Sequence, residues 1–509
     1  MQLTALPAVV RQPVSAKRTT SRICAALLAG CAGLVVLPVI EFAGGLATDV
    51  QARPRKSAPE KKARHAKHKI SPKHALDRAR DRTKQAAPPL PVQRPKHAQN
   101  IENGARGNVG DTAKDGQSTS APVLASAQDQ PLTAEQKKAA VLAAPAEVLR
   151  RIGRHVITGY HAPSQLTPLL ERAALGGVFV TAHNARGRNK QALATELDTL
   201  RERARASGQG AFWVSTDQEG GSVSRLSPPL AYQVSLPRML RDMKVDAPRT
   251  LAVEAYAAKQ AAALANIGIN LNFAPVADLN HNMRSSADRY TRIRNRAISD
   301  KADVVTEVAR TYCEQFNKAQ VYCTLKHFPG LGRVSSDTHV MPATLKASAE
   351  ELARTDWLPF RNVLQHTPAF VMVGHHQVVS LDAEHPASMS PAVVQKLLRE
   401  EWKFDGVVIT DDLVMGAITR RKGGIALAAV DALNAGVDLL LIGAHNDAVY
   451  DVLYALVIAD ENGRLSREKL EASEKRLARA AAPIELARQP APAAPPLPMK
   501  SPRTKTARQ

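Results

Sequence analysis

The stretch "CTLKHFPGLGRVSSDTHV", residues 323–340, combines an apolar run with a cluster of ionisable side chains. The apolar run stops at Lys326 and His327, a Pro-Gly turn follows, and Asp337 then precedes His339 by two residues. In parallel α/β folds, ligands bind at the carboxyl ends of the strands. The pattern therefore indicates a buried strand whose carboxyl end carries functional groups.

The same apolar signal recurs along the chain, alternating with longer helical patterns, as in a parallel sheet covered on both faces. The apolar runs are residues 154–159, 176–181, 211–216, 270–276, 321–327, 369–374, 406–410 and 438–443. The helical patterns include residues 190–207, 249–266, 300–318, 347–364, 423–435 and 445–458. Eight strand-helix units predict an α/β fold, a (β/α)8 TIM barrel. A doubly wound open sheet is the alternative, disfavoured because no G-x-G-x-x-G motif follows the first strand.

Polar motifs follow five of these runs directly. They are "TDQEGG", "APVAD", "KHFPG", "GHH" and "TDD", after the third to the seventh run. In a barrel all five lie on the face formed by the carboxyl ends of the strands, where active sites are built. Their convergence on one rim predicts an active site there.

Two aspartates stand at strand ends within these motifs. Asp411 is the first ionisable residue after "GVVIT", so its side chain is expected to project into the barrel mouth, whereas Asp412 points away and caps the next turn. Asp217 emerges from "FWVST" shortly before Gly220 and Gly221, which let the backbone turn close to a ligand.

Asp337 and His339 lie two residues apart, a spacing that lets a carboxylate orient an imidazole for proton transfer near neutral pH. A carboxylate nucleophile facing an acid/base group is the minimal equipment for glycoside hydrolysis with retention. Each residue also has a structural interpretation: Asp411 as a helix cap, His339 as a loop histidine and Asp337 as a turn-former. Their convergence favours the catalytic interpretation.

The motif "KHFPGLGRVSSDTHV" resembles the signature of glycoside hydrolase family 3, specifically the single-domain bacterial β-N-acetylglucosaminidases, or β-hexosaminidases. Other blocks match in the same order: "STDQEGGSVSRL", "NLNFAPVADLN", "NRAIS", "PASMSP" and "FDGVVITDDLVMGA". The resemblance covers about residues 132–480. Two positions depart from the family pattern: Ile298 replaces an aromatic residue, and "LVMGA" replaces "LSMEGA".

The resemblance implies a role for each matched residue. Asp411 would be the nucleophile that forms a covalent glycosyl-enzyme, and His339, paired with Asp337, would be the acid/base group on a loop that closes when substrate binds. The residues expected to contact the sugar or line its pocket are Asp217, Arg225, Arg296, Lys326, His327 and His375. Neither a metal nor a cofactor is expected.

The expected reaction is removal of terminal β-linked N-acetylglucosamine from peptidoglycan fragments or chitooligosaccharides. Phosphorolysis is an alternative, because a histidine repels an incoming phosphate less than a carboxylate would. A catalytically silent wall-binding protein is disfavoured by the presence of Asp411 and His339. A membrane scaffold without enzymatic activity is disfavoured by the convergent polar rim.

The chain begins with a segment typical of exported proteins. Within residues 1–52, basic residues precede an uncharged apolar run at 23–40. This length exceeds a usual signal-peptide core and lies at the lower limit for a membrane span, so both a cleaved signal and a retained anchor are open. Either predicts a location in the cell envelope, the periplasm.

The segments that flank residues 131–485 carry most of the basic charge. Residues 51–100 hold 15 Lys and Arg against 3 Asp and Glu, out of a net charge of +22 for the chain. Their Pro/Ala/Lys-rich composition predicts a disordered linker at 53–130 and a disordered tail at 486–509. The linker is either a solvated spacer or a contact to an anionic membrane or cell-wall polymer. Nucleic acid is not an expected partner, because no aromatic residues interleave with the charges, and a monomer is expected.

Four cysteines are present, and Cys24 and Cys31 fall in the leader. Cys313 and Cys323 lie in a predicted helix and the following buried strand, where a disulfide and two inert core thiols are both consistent with the sequence. No cysteine cluster has metal-ligand spacing.

Overall fold

The computed structural model describes residues 132–243, 248–444 and 446–488. The predicted leader at 1–52, linker at 53–130 and most of the tail at 486–509 lie outside these residues. Within the described ranges, no helix is long and apolar enough to cross a membrane.

Each of the eight predicted apolar runs contains or overlaps one strand of a closed parallel barrel. The barrel strands are β1 (Val156–Gly159), β2 (Gly177–Phe179), β3 (Trp213–Thr216), β6 (Leu271–Asn272), β7 (Tyr322–Phe328), β9 (Phe370–Val373), β12 (Val408–Asp412) and β13 (Leu439–Ile442). Their order around the barrel is β1-β13-β12-β9-β7-β6-β3-β2, so β1 closes the barrel against both β2 and β13. The prediction of a (β/α)8 barrel is confirmed and the open sheet is excluded.

Alternate strand residues pack on opposite sides of the barrel wall. In β12, Val408 joins the large core between strands and helices, whereas Ile409 joins the core inside the barrel. Both cores are apolar, which is why the strands are apolar runs rather than alternating apolar and polar patterns. The last helix, α15 (Arg467–Arg488), contributes Leu477 and Ile484 to the inner core and closes the amino-terminal end of the barrel.

The remaining helices surround the barrel. They are α1 (Ala134–Ala143), α2 (Ala146–Gly153), α3 (Pro163–Leu170), α4 (Ala182–Ala185), α5 (Lys190–Ala206), α6 (Leu236–Asp242), α7 (Arg249–Ala265), α8 (Ile293–Arg296), α9 (Ala302–Lys318), α10 (Ala349–Arg354), α11 (Leu358–Leu364), α12 (Gly416–Thr419), α13 (Gly424–Ala435) and α14 (Ala448–Glu461), with a π-type helix at Ala392–Glu401. Several helix boundaries differ from the sequence prediction by one to three residues. The helix expected at 347–364 is split into α10 and α11, and α15 runs three residues beyond the predicted domain boundary at 485.

The split between α10 and α11 has a local cause. Asp356 is buried there, and its carboxylate accepts hydrogen bonds from His281 at 2.8 Å and from Arg333 at 2.8 Å. Pro359 is the second residue of α11 and lacks the N–H that a continuous helix would need. Asp356 therefore holds two rim loops in place at the point where the helix is interrupted.

Two small sheets lie beyond the barrel strands and shape the rim. One is the hairpin β4 (Gln218–Gly220) and β5 (Val223–Ser224), which follows β3. The other combines β8 (Thr344–Leu345), β10 (Gln377–Val378) and β11 (Asp382–Pro386). Because β8 follows the loop with Asp337 and His339, its pairing with β10 fixes the far end of that loop.

Cys313 and Cys323 form a disulfide with a Cα–Cα distance of 5.3 Å. The bond joins α9 to β7, whose carboxyl end carries Lys326 and His327. Of the two alternatives that the sequence allows, the structure has the bridge.

Candidate active site

A cavity of about 420 Å³ opens at the carboxyl ends of the barrel strands. This volume lies in the range of small-molecule sites. The predicted site residues that line it are Asp217, Arg225, Arg296, Lys326, His327, His339 and Asp411. Six side chains that lie 72 to 194 positions before Asp411 in the sequence therefore share one pocket with it.

Asp411 lies at the end of β12, where the pairing of β12 with β13 shifts register between Ile409 and Asp412. A bulge of this kind re-aims side chains at a strand end. Burial acts to raise the pKa of Asp411, but the neighbouring imidazoles, led by that of His327, outweigh it and hold the pKa at about 2. Asp411 is therefore ionised at neutral pH.

The neighbouring carboxylate, Asp412, is turned away from this role. Its Oδ1 accepts hydrogen bonds from the backbone N–H of Gly443 at 2.7 Å and of Val414 at 3.1 Å. Burial raises the pKa of Asp412 to about 6, and the negative charge of Asp411 contributes in the same direction. Asp412 thus ties the turn after β12 to the end of β13.

Asp337 and His339 contact each other directly on the loop after β7. Nδ1 of His339 lies 2.9 Å from Oδ1 of Asp337, which is 1% exposed. Because an ionised carboxylate only accepts, His339 carries its Nδ1 proton toward Asp337 and leaves Nε2 for chemistry. Burial acts to raise the pKa of Asp337, but hydrogen bonds, first that from the backbone of Tyr290, hold the pKa at about 2.

A second loop, between β6 and α8, holds this pair in place. The backbone N–H groups of Arg289 and Tyr290 donate to Oδ2 of Asp337 at 3.0 and 2.6 Å. The hydroxyl of Thr291 donates to Oδ1 of Asp337 at 2.8 Å and lies 3.2 Å from Nδ1 of His339. We call residues 289–291 the dyad clasp.

The loop with His339 is also fixed to the segment that follows Asp411. The N–H of Gly416 donates to the carbonyl of His339 at 2.9 Å, and the N–H of Ala417 donates to the carbonyl of Thr338 at 3.0 Å. A Cβ on Gly416 would overlap the carbonyl oxygen of Val340, so glycine permits this close approach. His339 and Asp411 line the same cavity.

Four charged side chains form a network along one wall of the cavity. Nζ of Lys326 lies 2.6 Å from Asp217 and 2.7 Å from Glu219, and Arg296 binds Glu219 with Nε at 2.9 Å and Nη2 at 2.6 Å. Burial alone would raise the pKa of Glu219, but Arg296 and Lys326 hold it well below its usual range. Lys326 and Arg296 keep unused N–H donors, so both can still donate to a ligand.

His327 is oriented by a fully buried carboxylate. Its Nδ1 lies 2.8 Å from Oδ2 of Asp278, which also accepts the N–H of Leu331 at 2.7 Å through Oδ1. The Nδ1 proton therefore points at Asp278, and Nε2 is the nitrogen left for a ligand.

Two of the residues that were predicted to contact the sugar or line its pocket lie at different depths: one on the cavity rim and one behind the cavity wall. Arg225 lies exposed on the cavity rim. His375, expected to line the pocket, instead lies behind its wall, 2% exposed, with Nδ1 2.8 Å from Ser388 and Nε2 3.0 Å from the carbonyl of Asp412. Both ring nitrogens are occupied, so His375 supports the strand end beneath Asp411.

Sequence reasoning missed Glu219, Asp278 and the dyad clasp. Glu219 and Asp278 lie within the quoted motifs "TDQEGG" and "APVAD", so a carboxylate near a strand end was the available signal. The dyad clasp lies in a loop without such a signal. Among the described residues, no group of three or more His, Cys, Asp or Glu side chains could hold a metal ion.

Comparison with known proteins places this site in a family. Residues 149–480 match the family described as "Glycosyl hydrolase family 3 N terminal domain". The chain is 30% identical to beta-hexosaminidase A of Pseudoalteromonas piscicida over 340 residues, 62% of this chain and 55% of that protein. It is 31% identical to a beta-hexosaminidase of Xanthomonas axonopodis pv. citri over 301 residues, 59% of this chain and 85% of that protein.

The barrel is also similar to a solved structure. A glycoside hydrolase family 3 beta-N-acetylglucosaminidase from Paenibacillus sp. aligns with a TM-score of 0.61 at 27% identity, covering 68% of this chain and 64% of that one. The chain spans little more than half the length of the Pseudoalteromonas protein but most of the Xanthomonas one. From the family match across most of the barrel, we conclude that this chain belongs to glycosyl hydrolase family 3.

Proposed function

We propose that this protein is a retaining β-hexosaminidase that removes terminal β-linked N-acetylglucosamine. The observation that carries the proposal is that Asp411, at the end of β12, and His339, on the loop after β7, line one cavity. Asp411 is ionised, and His339 is paired with a buried carboxylate. The names of the Pseudoalteromonas, Xanthomonas and Paenibacillus relatives support the hexosaminide substrate.

In the first step, the carboxylate of Asp411 attacks the anomeric carbon of the bound sugar. The glycosidic C–O bond breaks as Nε2 of His339 donates its proton to the leaving oxygen. The products are a covalent glycosyl-enzyme on Asp411, the free aglycone and a neutral imidazole. Asp337, ionised and buried, stabilises the cationic imidazole from which the proton leaves.

In the second step, neutral His339 takes a proton from water through Nε2. As that proton leaves, the water oxygen attacks the anomeric carbon, and the bond between this carbon and Asp411 breaks. Two inversions at the same carbon give net retention. The enzyme returns to an ionised Asp411 and a protonated His339.

The charged network binds the sugar that is transferred. The second oxygen of Asp217 is available to accept from a hydroxyl, and Lys326, Arg296 and Nε2 of His327 face the same cavity. Because Glu219 neutralises much of the positive charge of Lys326 and Arg296, the wall offers directional hydrogen bonds without a large net charge. A neutral sugar suits such a wall better than a phosphate does.

The proposed location in the cell envelope is supported by the sequence of the leader and by one covalent bond. The leader predicts export, and the Cys313–Cys323 disulfide supports an oxidising location. In the envelope of a bacterium, wall-derived muropeptides and imported chitooligosaccharides are the substrates that this site would meet. Fractionation of cells that express the full chain tests the location, and a cytoplasmic enzyme with reduced thiols would contradict it.

The activity is tested by the full chain with 4-nitrophenyl β-N-acetylglucosaminide, with the matching β-glucoside as control. We expect release from the first substrate, no acceleration by added phosphate, and a β-configured first product by NMR. An α-configured product, or release that needs phosphate, would contradict the proposed hydrolysis with retention.

Two variants separate the proposed roles. Asp411→Asn removes the nucleophile and is expected to lower kcat by roughly 10⁴-fold or more on every substrate. His339→Ala is expected to reduce hydrolysis of a disaccharide far more than that of the aryl substrate, whose leaving group needs little protonation. Equal losses on both substrates for His339→Ala would exclude it as the acid.

A further inference from the structure

Tyr290 is the exposed aromatic residue at the mouth of the cavity. Its side chain lines the cavity, yet the residue is 64% exposed. Its backbone, in contrast, is fixed, because its N–H donates to Oδ2 of Asp337 at 2.6 Å. The fixed backbone thus presents a large ring to solvent beside the catalytic pair. Because the segment is already ordered, a ligand that contacts the ring has a smaller entropic cost to overcome.

The ring lies beside the group that handles the leaving oxygen. Its centroid is 6.0 Å from that of His339, and the two planes are tilted by 55°. In the proposed mechanism, His339 delivers its proton to the glycosidic oxygen, which is bonded to the first residue of the aglycone. That residue must therefore lie next to His339, on the open side of the cavity where Tyr290 stands.

The chemistry of the ring fits such a ligand. One face of a β-linked hexose ring carries mainly axial C–H groups, and an aromatic face binds flat apolar surfaces. The position that departs from the family pattern, Ile298, is 7% exposed and is not among the cavity-lining residues, so it offers no comparable face. The phenol hydroxyl can in addition hydrogen-bond a ring substituent.

We propose that Tyr290 forms the leaving-group subsite and stacks on the first sugar of the aglycone. The inference rests on the proposed glycosidase function and adds the class of aglycone: a sugar ring is preferred over a ring-free alcohol. Tyr290 is then a specificity-determining residue, and its backbone and side chain have separate tasks.

The test compares two substrates that both need a protonated leaving oxygen, N,N′-diacetylchitobiose and methyl β-N-acetylglucosaminide. Only the first has a sugar in the leaving group. For Tyr290→Ala in the full chain, we expect the ratio of kcat/KM for the disaccharide to that for the methyl glycoside to fall about tenfold. Tyr290→Phe should keep most of the ratio, because the ring remains.

The chain provides a matched control. Tyr232 is 62% exposed but does not line the cavity, so Tyr232→Ala should leave the ratio unchanged. If Tyr290→Ala lowers kcat/KM equally for both substrates, the ring acts on His339 and the subsite proposal is wrong. An unchanged ratio with unchanged rates would also overturn it. If the wild-type protein cleaves neither these substrates nor the aryl glycoside, the proposed function fails instead.

Discussion

Thr291 offers a sharp test of the dyad, because its hydroxyl contacts both Asp337 and His339. Thr291→Val keeps the shape of the side chain and removes that hydroxyl. A hydrogen bond to a charged group contributes about 1.5–3 kcal/mol, which corresponds to a loss of roughly tenfold to a hundredfold if it acts fully in the transition state. Asp337 keeps its backbone donors, so the loop should stay folded.

The assay compares kcat/KM for N,N′-diacetylchitobiose with that for an aryl substrate with a good leaving group. Since Thr291 orients the acid, the disaccharide should suffer most of the loss. Thr291→Ser restores a hydroxyl and should recover activity. Thr338→Val is the matched control, because the buried hydroxyl of Thr338 has no hydrogen-bond partner in the described part of the chain.

Three results would refute this reasoning. Equal losses on both substrates would mean that Thr291 shapes the whole cavity rather than the acid. A loss for Thr338→Val as large as for Thr291→Val would point to loop packing. Full activity of Thr291→Val with an unchanged melting temperature would show that the backbone donors of residues 289 and 290 suffice.

Three further predictions concern the surrounding structure. Asp412 has a folded-state pKa of about 6, above its ordinary 3.8, so its contribution to stability is present at low pH and is lost as the pH rises through 6. Asp412→Asn should therefore increase the free energy of unfolding at pH 8 by about 1–2 kcal/mol, a value that allows for the partial exposure of the side chain. At pH 4 urea unfolding should show no such effect. Replacing Cys313 and Cys323 by alanine should lower the free energy of unfolding by about 3 kcal/mol, seen as a drop of roughly 4 °C in melting temperature that reductant does not increase. Gly416→Ala should displace the carbonyl of Val340 and reduce kcat on the disaccharide by about a hundredfold, whereas a fully active variant would show that the loop tolerates the shift.

The barrel could be predicted because its signal is repeated and local. Each strand is a short run whose residues are buried on both faces, and several of the functional residues that were found lie at the end of such a run. Asp411 and Asp217 are examples, because their position in the chain alone places them at the rim. Helix 347–364 was predicted as one unit because its apolar period continues across the break, whereas the contacts of Asp356 that break it come from distant loops.

The dyad clasp could not be predicted for a similar reason. Thr291 meets Asp337 and His339 across 46 and 48 residues of sequence. Loop contacts of this kind have no period and depend on the path of two irregular segments. Glu219 was missed because the choice between it and Asp217 depends on side-chain direction in the β4–β5 hairpin, which the residue pattern does not fix.

The site keeps two carboxylates ionised in partly or fully buried positions, and it does so in different ways. Asp411 is held charged chiefly by neighbouring imidazoles, whereas Asp337 is held charged chiefly by hydrogen-bond donors, of which the backbone of Tyr290 is the first. Because both pKa values lie near 2, neither residue changes its charge between pH 5 and 8. We therefore expect a change of activity in that range to come from an imidazole, the side chain that ordinarily titrates there, or from Asp412.

Asp412 and an imidazole can be told apart by one substitution. Ionisation of Asp412 above about pH 6 adds a negative charge beside the nucleophile, and Asp412→Asn removes that event while its amide oxygen can still accept from Gly443 and Val414. If the pH profile of kcat/KM keeps its shape in this variant, the titrating group is an imidazole. If the limb near pH 6 disappears, the carboxylate that the chain places next to its nucleophile sets the pH range of the reaction.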